Sequence, residues 1–348
     1  MATCEIEHEP LGVALVLSAW NYPIYTAIPQ VAAAISAGNC VILKPSELAA
    51  ESSGLGGKCP VIVDETANIS TATNRILFGK FFNCGQTCIG VDHVFVHESI
   101  REPFRKALLE KLELFYGGEQ SLENDGNYGK IINRFHVDRV EKYLKDDHGG
   151  SIIYGGKAVN KETRFMGPTV IETPRKDSLL MQDEIFGPIL PIFYYSDLKE
   201  LIKEINSRPK PLVVYQFSES KANTSLVRSQ TSSGAYVVND TILQMTNLSL
   251  PFGGVGASGY GRYHGKDGFL AFTNPKSIAL ISSMDSYPIN QRYPPYNDSK
   301  KSTMTTLLKF GFITYGQLGR GLLAILLVIA AVVLYNVWCP CTQEKIDL

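Results

Sequence analysis

The chain has 348 residues, 45% of them hydrophobic and 19% charged, the balance of a folded globular protein and not of a disordered or fibrous one. Its 33 Lys and Arg against 34 Asp and Glu leave a net charge of -1, which excludes an extended basic surface for nucleic acid. Seven cysteines (Cys4, Cys40, Cys59, Cys84, Cys88, Cys339 and Cys341) share no repeated spacing, and the six histidines form no paired-ligand pattern. That argues against a disulfide framework or a zinc site and for a reducing compartment.

Residues 12–18 (GVALVLS) form a continuous apolar run of strand length. Pro23 opens a helical stretch, TAIPQVAAAISAG, which Gly38 and Asn39 close as a cap. Residues 40–43 (CVIL) are a second strand, so this succession predicts one right-handed parallel βαβ unit, the start of a doubly wound α/β sheet. After Lys44-Pro45-Ser46-Glu47 the pattern breaks. A strand at 60–63 follows with no intervening helix, although a parallel connection needs roughly a dozen residues or more. From Thr66 onward, helices at 68–82, 98–116, 134–145 and 197–207 alternate with strands at 93–97, 212–217 and 235–238. Residues 251–268 read as a glycine-rich irregular segment and 288–302 as a polar, proline-bearing linker.

The stretch 321–338 (GLLAILLVIAAVVLYNVW) carries no charge over 18 residues, with Arg320 before it and Tyr335 and Trp338 at its far end. It predicts a transmembrane helix. Because it lies near the end of the chain, with Lys300, Lys301 and Lys309 on its near side, it reads as a tail anchor in the endoplasmic reticulum membrane. The catalytic part then faces the cytosol, and the N-x-S/T sequons at Asn68, Asn223, Asn239, Asn247 and Asn297 meet no glycosyltransferase.

Phe81-Phe82-Asn83-Cys84-Gly85-Gln86-Thr87-Cys88 is the most informative stretch. A nucleophilic cysteine needs its thiolate favoured by nearby donors and a loop open to substrate. Gly85 permits a tight backbone path, and Asn83 and Gln86 bring polar groups; two small buried cysteines near a helix end are the alternative reading. The stretch resembles the F-x-N-x-G-Q-x-C signature of the aldehyde dehydrogenase superfamily. Further motifs resemble that family in order: Pro10-Leu11-Gly12 with Trp20-Asn21-Tyr22-Pro23, Lys44-Pro45-Ser46-Glu47, Glu184-Ile185-Phe186-Gly187-Pro188 and Leu250-Pro251-Phe252-Gly253-Gly254-Val255-Gly256. Gly261-Arg262-Tyr263-His264-Gly265-Lys266 and Arg292-Tyr293-Pro294-Pro295 resemble its class 3 branch, and the apolar tail its fatty-aldehyde members.

The resemblance implies an α/β aldehyde dehydrogenase-like fold and NAD(P)-dependent oxidation of aldehydes, long-chain fatty ones above all, to carboxylic acids through a cysteine thiohemiacetal and thioester. It makes Cys88 the nucleophile and gives Asn21, with the Cys88 N–H, the oxyanion. It gives Lys44 and Glu47 the adenosine ribose of NAD or NADP, and Glu184 and Phe186 the nicotinamide ribose. Pro251, Phe252, Gly253 and Gly254 would shape the substrate mouth, and a homodimer is expected. The chain would divide into a remnant of a dinucleotide-binding domain (1–57), a catalytic domain (58–250), a return segment to the cofactor and oligomerisation region (251–287), a linker (288–320), the anchor (321–338) and a tail (339–348).

One departure stands out. Gly54-Leu55-Gly56-Gly57-Lys58 resembles the family's E-L-G-G-K, with glycine where the general base belongs. Only six residues separate Glu47 from Gly54, where the family carries the rest of its cofactor domain and the turn that meets the pyrophosphate. The expectation is a Rossmann-type domain with an internal deletion, exposed apolar strands and impaired activity. Two rival readings are a non-catalytic membrane-anchored isoform that pairs with a full-length relative, and a cofactor-independent thiol esterase using Cys88 and Asn21.

Overall fold

The structure is a computed structural model and describes residues 2–46, 57–117, 122–124, 126–281, 283 and 285–310. Glu47, Gly54 and the apolar stretch 321–338 therefore lie outside the described residues. No helix among the described residues is long and apolar enough to cross a membrane. The chain divides into two compact units, Ile6–Ser277 and Met1–Glu5 with Ile278–Leu348.

The strands run β1 (Ala2–Pro10), β2 (Val13–Leu17), β3 (Cys40–Lys44), β4 (Pro60–Val63), β5 (His93–His97), β6 (Ser151–Tyr154), β7 (Val159–Asn160), β8 (Phe165–Met166), β9 (Thr169–Glu172), β10 (Ile189–Tyr195), β11 (Val213–Phe217), β12 (Ala235–Val238) and β13 (Thr273–Ile281). The helices are α1 (Ile28–Ser36), α2 (Ile69–Phe81), α3 (Arg101–Tyr116), α4 (Arg134–Lys145), α5 (Leu179–Gln182), α6 (Leu198–Asn206), α7 (Lys221–Gln230), α8 (Gly265–Ala271) and α9 (Asp298–Phe310).

The larger unit is built on a seven-stranded sheet in the order β12-β11-β4-β5-β10-β9-β6. Every neighbouring pair is parallel except β6 with β9, so the one antiparallel strand lies at the edge. Both faces are covered, as parallel sheets require. On one face Val61, Val63, Val94 and Val96 pack with Ala72, Ile76 and Leu77 of α2 and Phe104, Leu108 and Leu112 of α3. On the other, Ile62, Phe95, Phe193 and Val214 pack with Leu201, Ile202 and Ile205 of α6 and Val227 of α7. Side-chain caps fix where the helices start: Asn68 accepts from the Thr71 N–H, Asn133 from His136, Asp197 from Lys199 and Ser220 from Asn223.

The expected βαβ unit is present, with β2 and β3 parallel in register from Val13 opposite Cys40 to Leu17 opposite Lys44. Among the described residues it forms a two-stranded sheet. Ala14 and Val16 are buried, whereas Val13, Leu15 and Leu17 on the opposite face are 67%, 60% and 62% exposed, and Ile42 of β3 is 58% exposed. The segment 288–302, read as a polar linker, holds a 3-10 turn at Ile289–Arg292 and the first residues of α9, with Asn297 accepting from the Lys300 N–H at 2.9 Å. The segment 251–268, read as irregular, holds α8 at its end and a β-bridge between Phe252 and Tyr263.

Candidate active site around Cys88

The nucleophile loop follows α2 and turns on three consecutive left-handed residues, Asn83 (φ 51°), Cys84 (φ 55°) and Gly85 (φ 76°). Left-handed backbone is costly for residues other than glycine, so something must hold it. Gln86 does: its Nε2 donates to the Asn83 carbonyl (3.1 Å) and the Lys130 carbonyl (3.0 Å), and its Oε1 accepts from the Ile132 N–H (2.9 Å). The expectation that Gln86 serves the thiol is thus corrected. Its amide is spent on the loop's own shape, which needs a buried side chain able to donate twice and accept once.

Asn21 arrives from the loop between β2 and α1, and its Nδ2 donates to the Gln86 carbonyl at 3.1 Å. Asn83 Nδ2 returns the contact by donating to the Asn21 carbonyl (3.3 Å). The neighbouring Tyr22 hydroxyl bonds Thr87 Oγ1 at 2.7 Å. Asn21 and Tyr22 together are therefore tied to the two residues before Cys88, Asn21 to Gln86 and Tyr22 to Thr87, which brings the Asn21 amide beside the nucleophile loop.

Cys88 is half-buried, whereas Cys84 is wholly buried against the Tyr128 hydroxyl and the Met166 carbonyl. Burial first, and the Glu184 carboxylate second, push the Cys88 thiol up to about 12, outweighing the N–H groups of Ile89 and of Cys88 itself. A shift in that direction favours the protonated thiol, so a base nearby is needed to free the nucleophile. Burial, then the Asp92 carboxylate, push Glu184 up to about 8 against the Gly57 N–H, Lys58 and Lys80, so it exchanges a proton near neutral pH. Its Oε2 accepts from the Gly57 N–H at 3.1 Å.

Phe186 stands edge-on to Trp20, ring centroids 5.7 Å apart. The Glu184–Gly187 stretch meets the nucleophile loop backbone to backbone, since a Cβ on Gly85 would lie 2.3 Å from the Gly187 oxygen. At the expected mouth, Phe252 and Tyr263 exchange both backbone hydrogen bonds at 2.8 Å. The Gly253 backbone passes close to that of Gly261, and Gly254 to that of Ser258. Phe252, Tyr263 and His264 gather against Tyr25, whose hydroxyl lies 2.8 Å from both the Met245 carbonyl and His264 Nε2. Pro251 is exposed beside them. Sequence reading missed Tyr25 in this role, although it lies four residues after Asn21, as well as the contacts made by buried Asp92 and half-buried Lys58 and Arg139. Among the described residues no group of His, Cys, Asp or Glu could hold a metal ion.

The described residues do not make a complete dinucleotide site. Lys44 is exposed at the end of the two-stranded sheet. Helix α1, which starts beside that sheet, has most of its first-turn donors already engaged or missing: Ile28 N–H goes to Ile24 O, Pro29 has no N–H, and Val31 N–H goes to Ala27 O.

The aldehyde dehydrogenase family model matches residues 1–55 and again 52–278, two pieces that meet where the sequence pattern breaks. The chain is 37% identical to the 4,4'-diaponeurosporen-aldehyde dehydrogenase of Staphylococcus aureus, over 85% of this chain and 77% of that one. It is 34% identical to the mouse aldehyde dehydrogenase family 3 member A2, over 94% and 79%. The former alignment runs over 358 positions but uses 85% of 348 residues, about 296, leaving some 62 positions opposite no residue here. Among solved structures, the substrate-bound state of Staphylococcus aureus AldH superposes with a TM-score of 0.78 at 34% identity, covering 88% of this chain and 79% of that one.

Proposed function

The chain belongs to the aldehyde dehydrogenase family, and from that premise we propose that it captures long-chain aldehydes at Cys88 but is impaired in NAD- or NADP-dependent oxidation. Glu184, poised near neutral pH, takes the thiol proton. The thiolate attacks the carbonyl carbon, and the Asn21 amide with the Cys88 N–H receives the oxyanion, giving a thiohemiacetal. The cofactor, when bound to a complete member of the family, accepts the hydride. The bare face of β2 and β3, with Val13, Leu15 and Leu17 exposed where a cofactor domain would continue, is the observation that carries the impairment.

The test is purified full chain in detergent with a long-chain aldehyde and either nicotinamide cofactor, followed for reduced cofactor. No turnover is expected, and reinsertion of the family segment between Glu47 and Gly54 should restore it. Turnover within about tenfold of a full-length relative, less than the loss of one general base typically costs, overturns the reading.

The same reading places the chain on the endoplasmic reticulum membrane through residues 321–338, catalytic part cytosolic, where lipid-dissolved aldehydes are met. Protease treatment of sealed microsomes should digest everything before the span, and a large protected fragment from the N-terminal part overturns that topology. Pairing as a homodimer completes the proposal. The exposed β2–β3 face also favours a second reading, a membrane-anchored subunit that pairs with a full-length relative. Co-purification of the two chains on co-expression, with this chain alone inactive, distinguishes it.

A further inference from the structure

The stretch that carries Glu184 has no helix or strand of its own. Residues 183–188 lie between α5 and β10, so their backbone groups find partners elsewhere or go unmet. Those partners are two part-buried devices. Arg139 of α4 donates to three successive carbonyls, those of Glu184 (3.4 Å), Ile185 (2.8 Å) and Phe186 (3.3 Å). The second device is an ion pair that the proposed reaction does not use, although its lysine closes the Gly54-Leu55-Gly56-Gly57-Lys58 stretch. Lys58 Nζ lies 2.6 Å from Asp92 Oδ2, with the two side chains 14% and 4% exposed.

Each end of that pair grips the backbone beside Glu184. Lys58 donates to the Asp183 carbonyl (2.9 Å), the residue before, and also to the Leu180 carbonyl (2.6 Å). With Asp92 these make three acceptors for the three hydrogens of one ammonium group. Asp92 Oδ1 accepts from the Ile185 N–H (2.9 Å), the residue after, and its Oδ2 also meets His93 Nδ1 (3.0 Å). The N–H that reaches the Glu184 carboxylate itself belongs to Gly57, next to Lys58. The pair is tied to the nucleophile as well: the Asp92 N–H donates to the Cys59 carbonyl (3.0 Å), and Cys59 Sγ lies 3.5 Å from the Cys88 carbonyl.

Resting on the reading of Cys88 as nucleophile and Glu184 as its base, we propose that Lys58 and Asp92 are positioning residues that hold the Glu184 stretch, which packs backbone to backbone on the Cys88 loop at Gly85, so that its carboxylate can serve the thiol. A buried ion pair of this kind adds little stability over apolar residues of the same size. What it supplies here is geometry: two fixed points, one on each side of Glu184, set from the strand that follows Lys58 and the strand that follows Asp92. Lys58 leads into β4 and Asp92 into β5, adjacent strands in the middle of the sheet. The base is thereby referenced to the same rigid frame that carries the nucleophile loop.

The test needs no cofactor and no turnover. Purified full chain is alkylated with iodoacetamide across a range of pH, and the rate at each cysteine is read by peptide mass spectrometry. In the unsubstituted chain Cys88 is expected to alkylate with a high apparent midpoint, from burial first and the Glu184 carboxylate second. Glu184→Gln removes that charge and moves the midpoint down. Asp92→Asn and Lys58→Met should each move it in the same direction, because the carboxylate is released from its place. The double variant with Asp92→Asn and Glu184→Gln should match Glu184→Gln alone, since the displaced group is already gone.

Throughout, Cys59 and Cys84 should remain protected; a merely structural role would open all three thiols together. Lys58→Arg, which keeps the charge but not the compact three-donor head, should give an intermediate shift. The proposal is overturned if Asp92→Asn leaves the Cys88 midpoint in place, if its effect adds in full to that of Glu184→Gln, or if Cys59 and Cys84 open alongside. Should Asp92→Asn fail to fold, Lys58→Met and Lys58→Arg decide by the same criteria. Failure of the underlying reading looks different: Cys88 would then be silent to the reagent, or indifferent to Glu184→Gln, in the otherwise intact chain.

Discussion

Gly85 is where the nucleophile loop and the Glu184 segment touch, and adding one methyl group there measures how tightly. A Cβ on Gly85 would lie 2.3 Å from the Gly187 oxygen, 2.5 Å from its carbonyl carbon and 3.1 Å from its Cα. All three atoms are backbone, so no side chain can swing away to make room. The backbone must also keep φ at 76°, which costs a residue with a Cβ about 1–2 kcal/mol. Overpacking a well-filled site costs about 1–3 kcal/mol more. Gly85→Ala should therefore destabilise the chain by about 2–5 kcal/mol, a drop of roughly 30- to 5,000-fold in the folding constant.

Urea unfolding followed by intrinsic fluorescence reads this directly. Gly126→Ala serves as the control, because a Cβ there meets nothing within 4 Å, and it should stay within about 0.5 kcal/mol of the parent. The site should respond too. Parting the two loops weakens both influences that push Cys88 up, burial and the Glu184 carboxylate, so the thiol midpoint should fall. A stability loss under about 1 kcal/mol, or a rise in that midpoint, would refute the close contact on which this reasoning rests.

Two further predictions concern charge. Lys80 of α2 is buried, and desolvation brings its ammonium down to about 8, against its unfolded value of 10.5. Between those values the unfolded chain binds more protons, so the stability of the parent rises with pH over that window and is flat for this group below it. The advantage of Lys80→Met over the parent should accordingly shrink as pH climbs from 8 to 10.5 in chemical denaturation; a gap that stays constant would show the ammonium is not desolvated. On the bare face of the βαβ unit, Leu15→Lys with Ile42→Lys should cost within about 0.5 kcal/mol and reduce light scattering by self-association. A loss beyond about 1 kcal/mol would mean that this face is covered in solution.

The parts of the molecule legible from sequence are those whose signal is local. β2, α1 and β3 announce themselves by apolar runs and a Gly38-Asn39 stop, and α2 and α4 by asparagine caps at Asn68 and Asn133. β10 does not, because Pro191 sits inside it and reads against a strand flanked on both sides. α7 (KANTSLVRSQ) buries only Val227, so it has almost no apolar stripe to see. β6 to β9 are two to four residues long, below what alternation can reveal.

At the site the same division holds. The loop of Cys88, the Asn21 turn and the Glu184 stretch follow from contiguous motifs, whereas their mutual support does not. Lys58, Asp92 and Arg139 act on the backbone of residues far along the chain, and nothing in the local pattern of a lysine or an aspartate names a distant carbonyl or N–H as its partner. The role of Gln86 was misread for a related reason: a polar side chain beside a cysteine suggests chemistry until its three partners are seen.

The order of the seven-stranded sheet also sets when this protein can fold. β4 pairs with β5 on one side and, on the other, with β11, and the Asp64–Gln216 contact at that junction joins residues 152 positions apart. Pairings of that separation are slow, because the intervening loop must be closed before the contact rewards it. As the chain leaves the ribosome, β9 and β10 can join β5 first, but the other edge of β4 stays unpaired until β11 follows, and until then the fully buried residues Val61, Ile62 and Val63 lie on an open sheet edge. The yield of native protein should then depend on the pace of synthesis across residues 64–238, a stretch remote in sequence from both the βαβ unit and the apolar tail.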